Sequence, residues 1–196
     1  MTEHTRRIVK CEKQLLQATD EQVLLGLTWY SRANSYLRQV ALEYGVTTDI
    51  CAKVCSILSP SSKWERNKTD LCLMLSAKNL PLDHVLALPF ATYKKNVKKA
   101  YLCLHGLSEL TEKSRKTYAF YRNLMLDDNH VTIDRHAITA ISAFNPKNGA
   151  KSQVRYSSFV KVYESIAKRY CLKPYELQAI VWEVERANKN QRRRRV

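Results

Sequence analysis

The sequence predicts an all-α fold, and three observations carry that prediction. Apolar residues recur at steps of three and four along nearly the whole chain, the period of one helical face. Residues suited to starting and stopping helices punctuate these stretches. Only four glycines and five prolines occur among 196 residues, too little turn material for a hairpin-rich β fold.

Taken in order, no element is assigned before Asp20. A long helix follows, with Val23, Leu27, Tyr30, Ala33, Leu37, Val40 and Tyr44 on one face. Asp20 is placed to cap it, and Gly45 to end it with a positive φ. A shorter apolar helix is predicted from about Asp49 to Leu58, stopped by Pro60. Ser62-Lys-Trp-Glu65 reads as a capping box that opens a helix through Met74. Pro81–Leu88 reads as a short helix, Tyr93–Leu104 as a lysine-rich one ending near Gly106, and Thr111 to about Leu124 as another. An extended piece, His130–Ile133, leads to Asp134 and a helix to about Ala143. Asn145–Gly149 has loop chemistry. Helices from about Ser157 to Tyr170 and from Pro174 to Ala187 complete the fold, Pro174 suiting a first helical position. Gln191–Val196 is read as a basic, disordered tail.

Composition narrows the function. The chain is 45% hydrophobic and 26% charged, which fits a folded globular protein. No apolar run approaches the roughly 18–20 residues of a membrane span, and the N-terminus lacks the apolar core of a signal peptide. The six cysteines, Cys11, Cys51, Cys55, Cys72, Cys103 and Cys171, are scattered. Cys51 and Cys55 lack a second pair or a nearby His to complete a zinc site, so buried free thiols in a reducing cytoplasm are expected.

The formal net charge is +15, which points to a polyanionic partner. It is concentrated. Lys94, Lys95, Lys98 and Lys99 crowd one helix as like-charged i,i+4 pairs, each costing a few tenths of a kcal/mol unless an anion neutralises them. Residues 147–173 hold Lys147, Lys151, Arg155, Lys161, Lys168, Arg169 and Lys173 against one acid, Glu164. Arg192–Arg195 add a third cluster. Charge alone identifies a polyanion and does not separate DNA from RNA.

The stretch Leu110-Thr-Glu-Lys-Ser-Arg-Lys116-Thr117, followed by Val131-Thr-Ile-Asp134-Arg-His136-Ala, resembles the helix-hairpin-helix DNA glycosylase superfamily, particularly its endonuclease III type. There a glycine-containing hairpin precedes a helix and then a Val-Asp-Thr-His-like turn, with a lysine and an aspartate spaced like Lys116 and Asp134. Ile57-Leu-Ser-Pro-Ser-Ser62 resembles the family's DNA-facing Leu-Leu-Ser-Ala-Gln segment, and Tyr93–Ala100 its basic helix entry. The resemblance covers about residues 45–145. Ser59-Pro60…Trp64-Glu-Arg-Asn67, Lys116…Phe120-Tyr-Arg-Asn123, Asp134-Arg-His-Ala137 and Leu177-Gln178…Trp182…Arg186 also look like a pattern shared by a group of uncharacterised phage proteins. Two departures stand out. Glu112, Lys113 and Ser114 replace the hairpin glycines that let backbone N–H groups approach a phosphate. The iron–sulfur cysteine quartet is absent, Cys171 standing alone near the C-terminus.

The resemblance implies two α-helical lobes with a cleft between them. One is about residues 46–130, the other about 1–45 with 131–190, in a single compact domain of residues 1–190 followed by the tail. It implies a cytoplasmic, nucleoid-associated protein (in the host cytoplasm if phage-encoded), with no cofactor and no membrane partner. The protein would bind double-stranded DNA, extrude a nucleotide and cleave its base–sugar bond. Asp134 would stabilise the oxocarbenium-like transition state, and Lys116 would form a Schiff base where lyase activity follows. Trp64, Phe120, Tyr121 and Trp182 would line the pocket for the flipped base. Asn67, Asn123, His136 and Gln178 would read its edges or order the aspartate. Ser61, Ser62, Lys94, Lys95, Lys98, Lys99, Lys113, Ser114 and Arg115 would hold the DNA. Structural readings stand beside these: Asp134 as a helix cap, Lys116 as a phosphate contact, His136 as a hydrogen-bonded support, and Gln178, Trp182 and Trp64 as packing residues. A DNA base-hypermodification enzyme and a non-catalytic DNA binder on the same scaffold are the competing functions.

Overall fold

Threonine hydroxyls start the first three helices, each taking up an N–H group that has no intrahelical partner. In the computed structural model, which describes residues 1–142 and 153–194, Thr2 accepts from Thr5 N to open α1 (Glu3–Leu16). Thr19 accepts from Gln22 N at 3.3 Å while Gln22 Oε1 accepts from Thr19 N at 2.9 Å, a reciprocal box that opens α2 (Asp20–Tyr44). The cap is thus Thr19, with Asp20 already the first helical residue. Thr47 accepts from Ile50 N at 3.2 Å to open α3 (Thr48–Leu58). Gly45 and Gly106 take φ values of +65° and +68° after the helices that end at Tyr44 and Leu104, as helix-ending glycines do.

The remaining helices are α4 (Trp64–Ser76), α5 (Leu82–Ala87), α6 (Lys94–Leu104), α7 (Arg115–Leu124) preceded by a 3-10 turn at Glu112–Ser114, α8 (Arg135–Ile141), α9 (Gln153–Arg169) and α10 (Pro174–Arg194). Among the described residues there is no strand, and the fold is all-α. The capping box expected at Ser62–Glu65 does not form. Ser61 turns the chain through φ 69°, Lys63 falls at the cap position without a side-chain bond, and the Ser62 hydroxyl donates to Lys63 O instead. α1 was not expected. Its buried or half-buried Ile8, Cys11 and Leu15 form a narrow apolar edge among Arg and Lys side chains. α10 continues to Arg194, so residues 191–194 are helical where a disordered tail was expected. The predicted loop Asn145–Gly149, and Lys147 and Lys151 with it, lies outside the described residues.

The chain divides into two compact units: Met1–Arg32 with Leu126–Val196, and Ala33–Met125. The divisions fall at 32/33 and 125/126, against 45/46 and 130/131 in the sequence reading. The shift follows from α2, whose first part supplies Gly26 and Tyr30 to unit 1 and whose second part supplies buried Ala33, Leu37, Val40 and Ala41 to unit 2.

In unit 1, α1 packs on α8, α9 and α10, and α10 on α8 and α9. Cys11, Val131, Ile138, Phe159, Tyr163 and Leu177 are central to the core. The guanidinium of buried Arg7 lies 4.1 Å from the Phe159 ring centroid and donates to Ser158 Oγ at 2.9 Å. In unit 2, α3 packs on α4, α6 and α7, and α5 on α6. The N-terminal turn of α3 is tied to α7 through Asp49, which accepts from Tyr121 OH at 2.6 Å and pairs with Lys53 at 2.8 Å. Cys11, Cys51, Cys55 and Cys103 are buried and Cys72 is half-buried, but Cys171 is exposed, contrary to the expectation of buried thiols. Among the described residues no helix is long and apolar enough to cross a membrane.

Gly26 exists because α10 passes too close for anything larger. A Cβ there would meet Ile180 Cγ1 at 2.4 Å and the Ile180 backbone at 2.5–2.6 Å. Gly26→Ala would stabilise an exposed helix by about 1 kcal/mol. Here it is expected to destabilise by about 1–3 kcal/mol through overpacking, read as a lowered urea midpoint.

The Asp49 contacts predict a pH effect. Burial alone would raise its carboxyl pKa, but the hydrogen bonds from Lys53 and Tyr121 and the charges of Lys53 and Arg122 outweigh it and hold the value low. A depressed folded pKa contributes stability above the unfolded value of about 3.9, lost as pH falls through the folded one. Asp49→Asn should therefore lower stability at pH 7 and flatten its decline below about pH 4, measured by denaturant titrations across pH.

Candidate nucleic-acid interface

Within unit 2, hydrogen bonds tie the lysine helix α6 to two other segments, the basic turn before α7 and the turn of Ser61 and Ser62. α6 buries Val97, Ala100 and Cys103 and leaves Lys94, Lys95 and Lys98 exposed. Lys99, half-buried, donates to Ser114 Oγ at 2.9 Å, which ties the lysine helix to the 3-10 turn before α7. Lys113 and Lys116 are exposed there, with Arg115 half-buried between them. At the other end of α6, Asn96 donates to Thr92 Oγ1 at 2.9 Å and the Thr92 hydroxyl donates to Pro60 O at 3.0 Å. That chain of bonds draws the turn of Ser61 and Ser62 to the same helix.

A buried carboxylate holds this arrangement. Asp70, fully buried on α4, accepts from Arg66 Nε at 3.0 Å and from Ala91 N at 3.1 Å, while Arg66 also donates to Pro89 O. The loop that leads into Thr92 and the first lysines is thereby fixed from below. Glu112, exposed beside Lys113, is the one acid in the 3-10 turn.

The polar residues expected to read a base are used differently. Asn67, 1% exposed, donates to Cys55 O at 3.2 Å and Cys55 Sγ at 3.1 Å, stitching α4 to α3. Asn123 is fully buried on α7. Trp64 is half-buried at the start of α4, edge-to-face with Tyr36 at 6.2 Å, and Phe120 is half-buried on α7. As placed, the two asparagine amides serve the core of unit 2 and present no edge to solvent.

Asp134 belongs to unit 1. It caps α8, Oδ1 accepting from Ala137 N at 2.7 Å, and remains half-exposed. The segment before it is buried and held by Tyr156, whose hydroxyl accepts from Ile133 N at 3.3 Å and donates to Val131 O at 3.4 Å. Tyr163 OH donates to Ala137 O at 2.9 Å from below. Gln178, 6% exposed, accepts from Tyr30 OH at 3.1 Å, and Tyr30 stands edge-on to Tyr175 at 5.1 Å. Burial holds the Tyr30 phenol well above its ordinary pKa, against a hydrogen bond with Thr132, and the Asp134 charge adds to the rise. Asp134 also raises Tyr163, after burial and the charge of Cys11. His136 is half-buried in the first turn of α8, and Trp182 is half-buried on α10 with the Arg186 guanidinium 4.8 Å from its ring. Among the described residues no group of three or more His, Cys, Asp or Glu could hold a metal ion.

Residues 1–190 match the family described as "Family of unknown function (DUF7178)". The chain belongs to DUF7178. No curated protein and no solved structure matches it.

For this DUF7178 chain, sequence reasoning missed Tyr30, Asp70 and Thr92. Tyr30 sat in the apolar stripe of α2, where a tyrosine reads as core. Asp70 has a local signal, Arg66 one turn earlier at i−4, but its bond to Ala91 N depends on the tertiary fold.

The shown role of Asp134 is the cap of α8. Asp134→Ala should destabilise unit 1 by about 1 kcal/mol through the lost cap. Asp134→Asn keeps a side-chain acceptor for Ala137 N and should change stability by less than about half of that. Thermal melts of the two variants check this.

Proposed function

We propose that the protein is a DNA-binding member of the helix-hairpin-helix glycosylase-like class. In this reading unit 2 holds the phosphate backbone and Asp134 of unit 1 is the carboxylate that acts on an extruded nucleotide. The observation that supports it most directly is the joining of the Ser61–Ser62 turn, the α6 lysines and the Lys113–Lys116 turn by the Thr92 and Lys99 bonds. These are the segments that the resemblance assigns to DNA. Like-charged lysines crowded on one helix are relieved by a polyanion, and each phosphate contact releases a counterion.

The altered hairpin fits this reading by a different route. With Glu112, Lys113 and Ser114 in place of glycines, phosphate contact passes from backbone N–H groups to the Lys99–Ser114 pair and the neighbouring cations. Lys116 is exposed, whereas a Schiff-base lysine is activated by desolvation. The reading therefore places base release on Asp134 without strand cleavage by Lys116.

Binding is tested by fluorescence anisotropy on a duplex of about 25 base pairs across salt concentrations. Replacing Lys94, Lys95, Lys98 and Lys113 with Gln should flatten the slope of log K against log salt by up to about 3–4 units. An unchanged slope would remove this face from the interface. Chemistry is tested by mass spectrometry of DNA carrying alkylated, oxidised and deaminated bases. Free base lost in Asp134→Asn supports excision, a new intact nucleoside supports base modification, and neither product leaves a binding protein. Borohydride trapping on an abasic duplex should give no adduct that depends on Lys116.

A further inference from the structure

The basic cluster around α9 plays no part in the unit 2 interface, and the structure sorts its members. The Arg169 charge is taken by Glu12 at 2.7 Å, which also accepts from Tyr170 OH at 2.9 Å. Arg169 is therefore part of the clasp between α9 and α1. Lys161 and Lys168 are exposed, and no carboxylate among the described residues pairs with either. Glu164 stands three residues after Lys161 and four before Lys168, within helical reach of both, and takes neither. The two lysines are two turns apart on one face, about 10 Å along the axis, with exposed Ser165 between them.

The opposite face of α9 is rigidly held. Phe159, Val162, Tyr163, Ile166 and Ala167 are at most 1% exposed in the core of unit 1. The lysines are thus presented by an immobilised helix, as those of α6 are in unit 2, so their stems start from fixed positions.

We propose that the exposed face of α9 centred on Lys161 and Lys168 is a second phosphate-backbone contact, giving each unit its own DNA-binding face. This rests on the reading of the protein as a DNA binder, but not on which residues of unit 2 make contact.

The test compares two doubly substituted full-length chains with the same charge change in the same unit. One carries Lys161→Gln and Lys168→Gln. The control carries Arg6→Gln and Lys13→Gln, exposed on α1. Both should melt like the parent, because none of the four side chains is buried. On the duplex used above, the α9 pair should flatten the salt slope by about 2 units and the control by much less. Equal losses in the two chains, or no loss in either, would overturn the proposal. If the α9 pair flattens the slope while the unit 2 substitutions do not, the α9 face stands and the unit 2 interface fails. If the parent shows no salt-dependent DNA binding, both readings fall together.

Discussion

Unit 2 depends on one helix being buried on nearly every side. Seven of the eleven residues of α3 are buried, and α4, α6 and α7 all pack on it. A helix so enclosed needs short side chains where its neighbours cross, and Cys51, Ala52, Cys55 and Ser56 supply them. Enclosure also leaves polar atoms to satisfy, which is the work of Asn67 against Cys55. Because α6 and α7 rest on α3, the lysines of one and the basic turn before the other are held on a common base. The Asp49–Tyr121 bond fastens the far end of that base to α7. The positions of the surface charges therefore follow from apolar packing beneath them.

The two units use buried polar groups for different ends. In unit 2, Asp70 is fully buried, and its bonds to Arg66 and Ala91 N set the entry of the lysine helix. In unit 1, three tyrosine hydroxyls, those of Tyr30, Tyr156 and Tyr163, bond to groups around the Val131–Ala137 segment or to Gln178. The half-exposed Asp134 carboxylate thus sits on a firmly held turn, where it caps α8.

The helices of this protein were legible because their apolar spacing is local. The stripe from Val23 to Tyr44, Gly45 and Gly106 as helix stops, and Pro174 at the start of α10 all act within a few residues of themselves. α1 escaped because its buried edge is narrow and includes Arg7, whose burial depends on the Phe159 ring and Ser158 far along the chain. The expected box at Ser62–Glu65 failed by one residue, because the left-handed turn at Ser61 put Lys63 at the cap position. Of the candidate site, the α6 lysines and the Lys113–Arg115 turn were readable as charge. Their union through Lys99 and Ser114 was not, since the two residues are fifteen apart in sequence.

By itself, then, the sequence determined an all-α chain with a large positive charge gathered in clusters, because helix periodicity and charge are properties of neighbouring residues. Only the tertiary structure decided which polar residues face water. Asn67, Asn123 and Gln178 carry groups that could read a base edge, yet packing encloses them and sets Asn67 against Cys55 and Gln178 against Tyr30. Lys116 and Lys161 look like any other lysines in the sequence, and their exposure is a consequence of which helix face the core claims. The division at 32/33 likewise had no sequence signature, because α2 keeps one unbroken period while its two parts supply residues to different units. Burial is a relation between distant residues, and it is there that a one-dimensional reading loses its physical information.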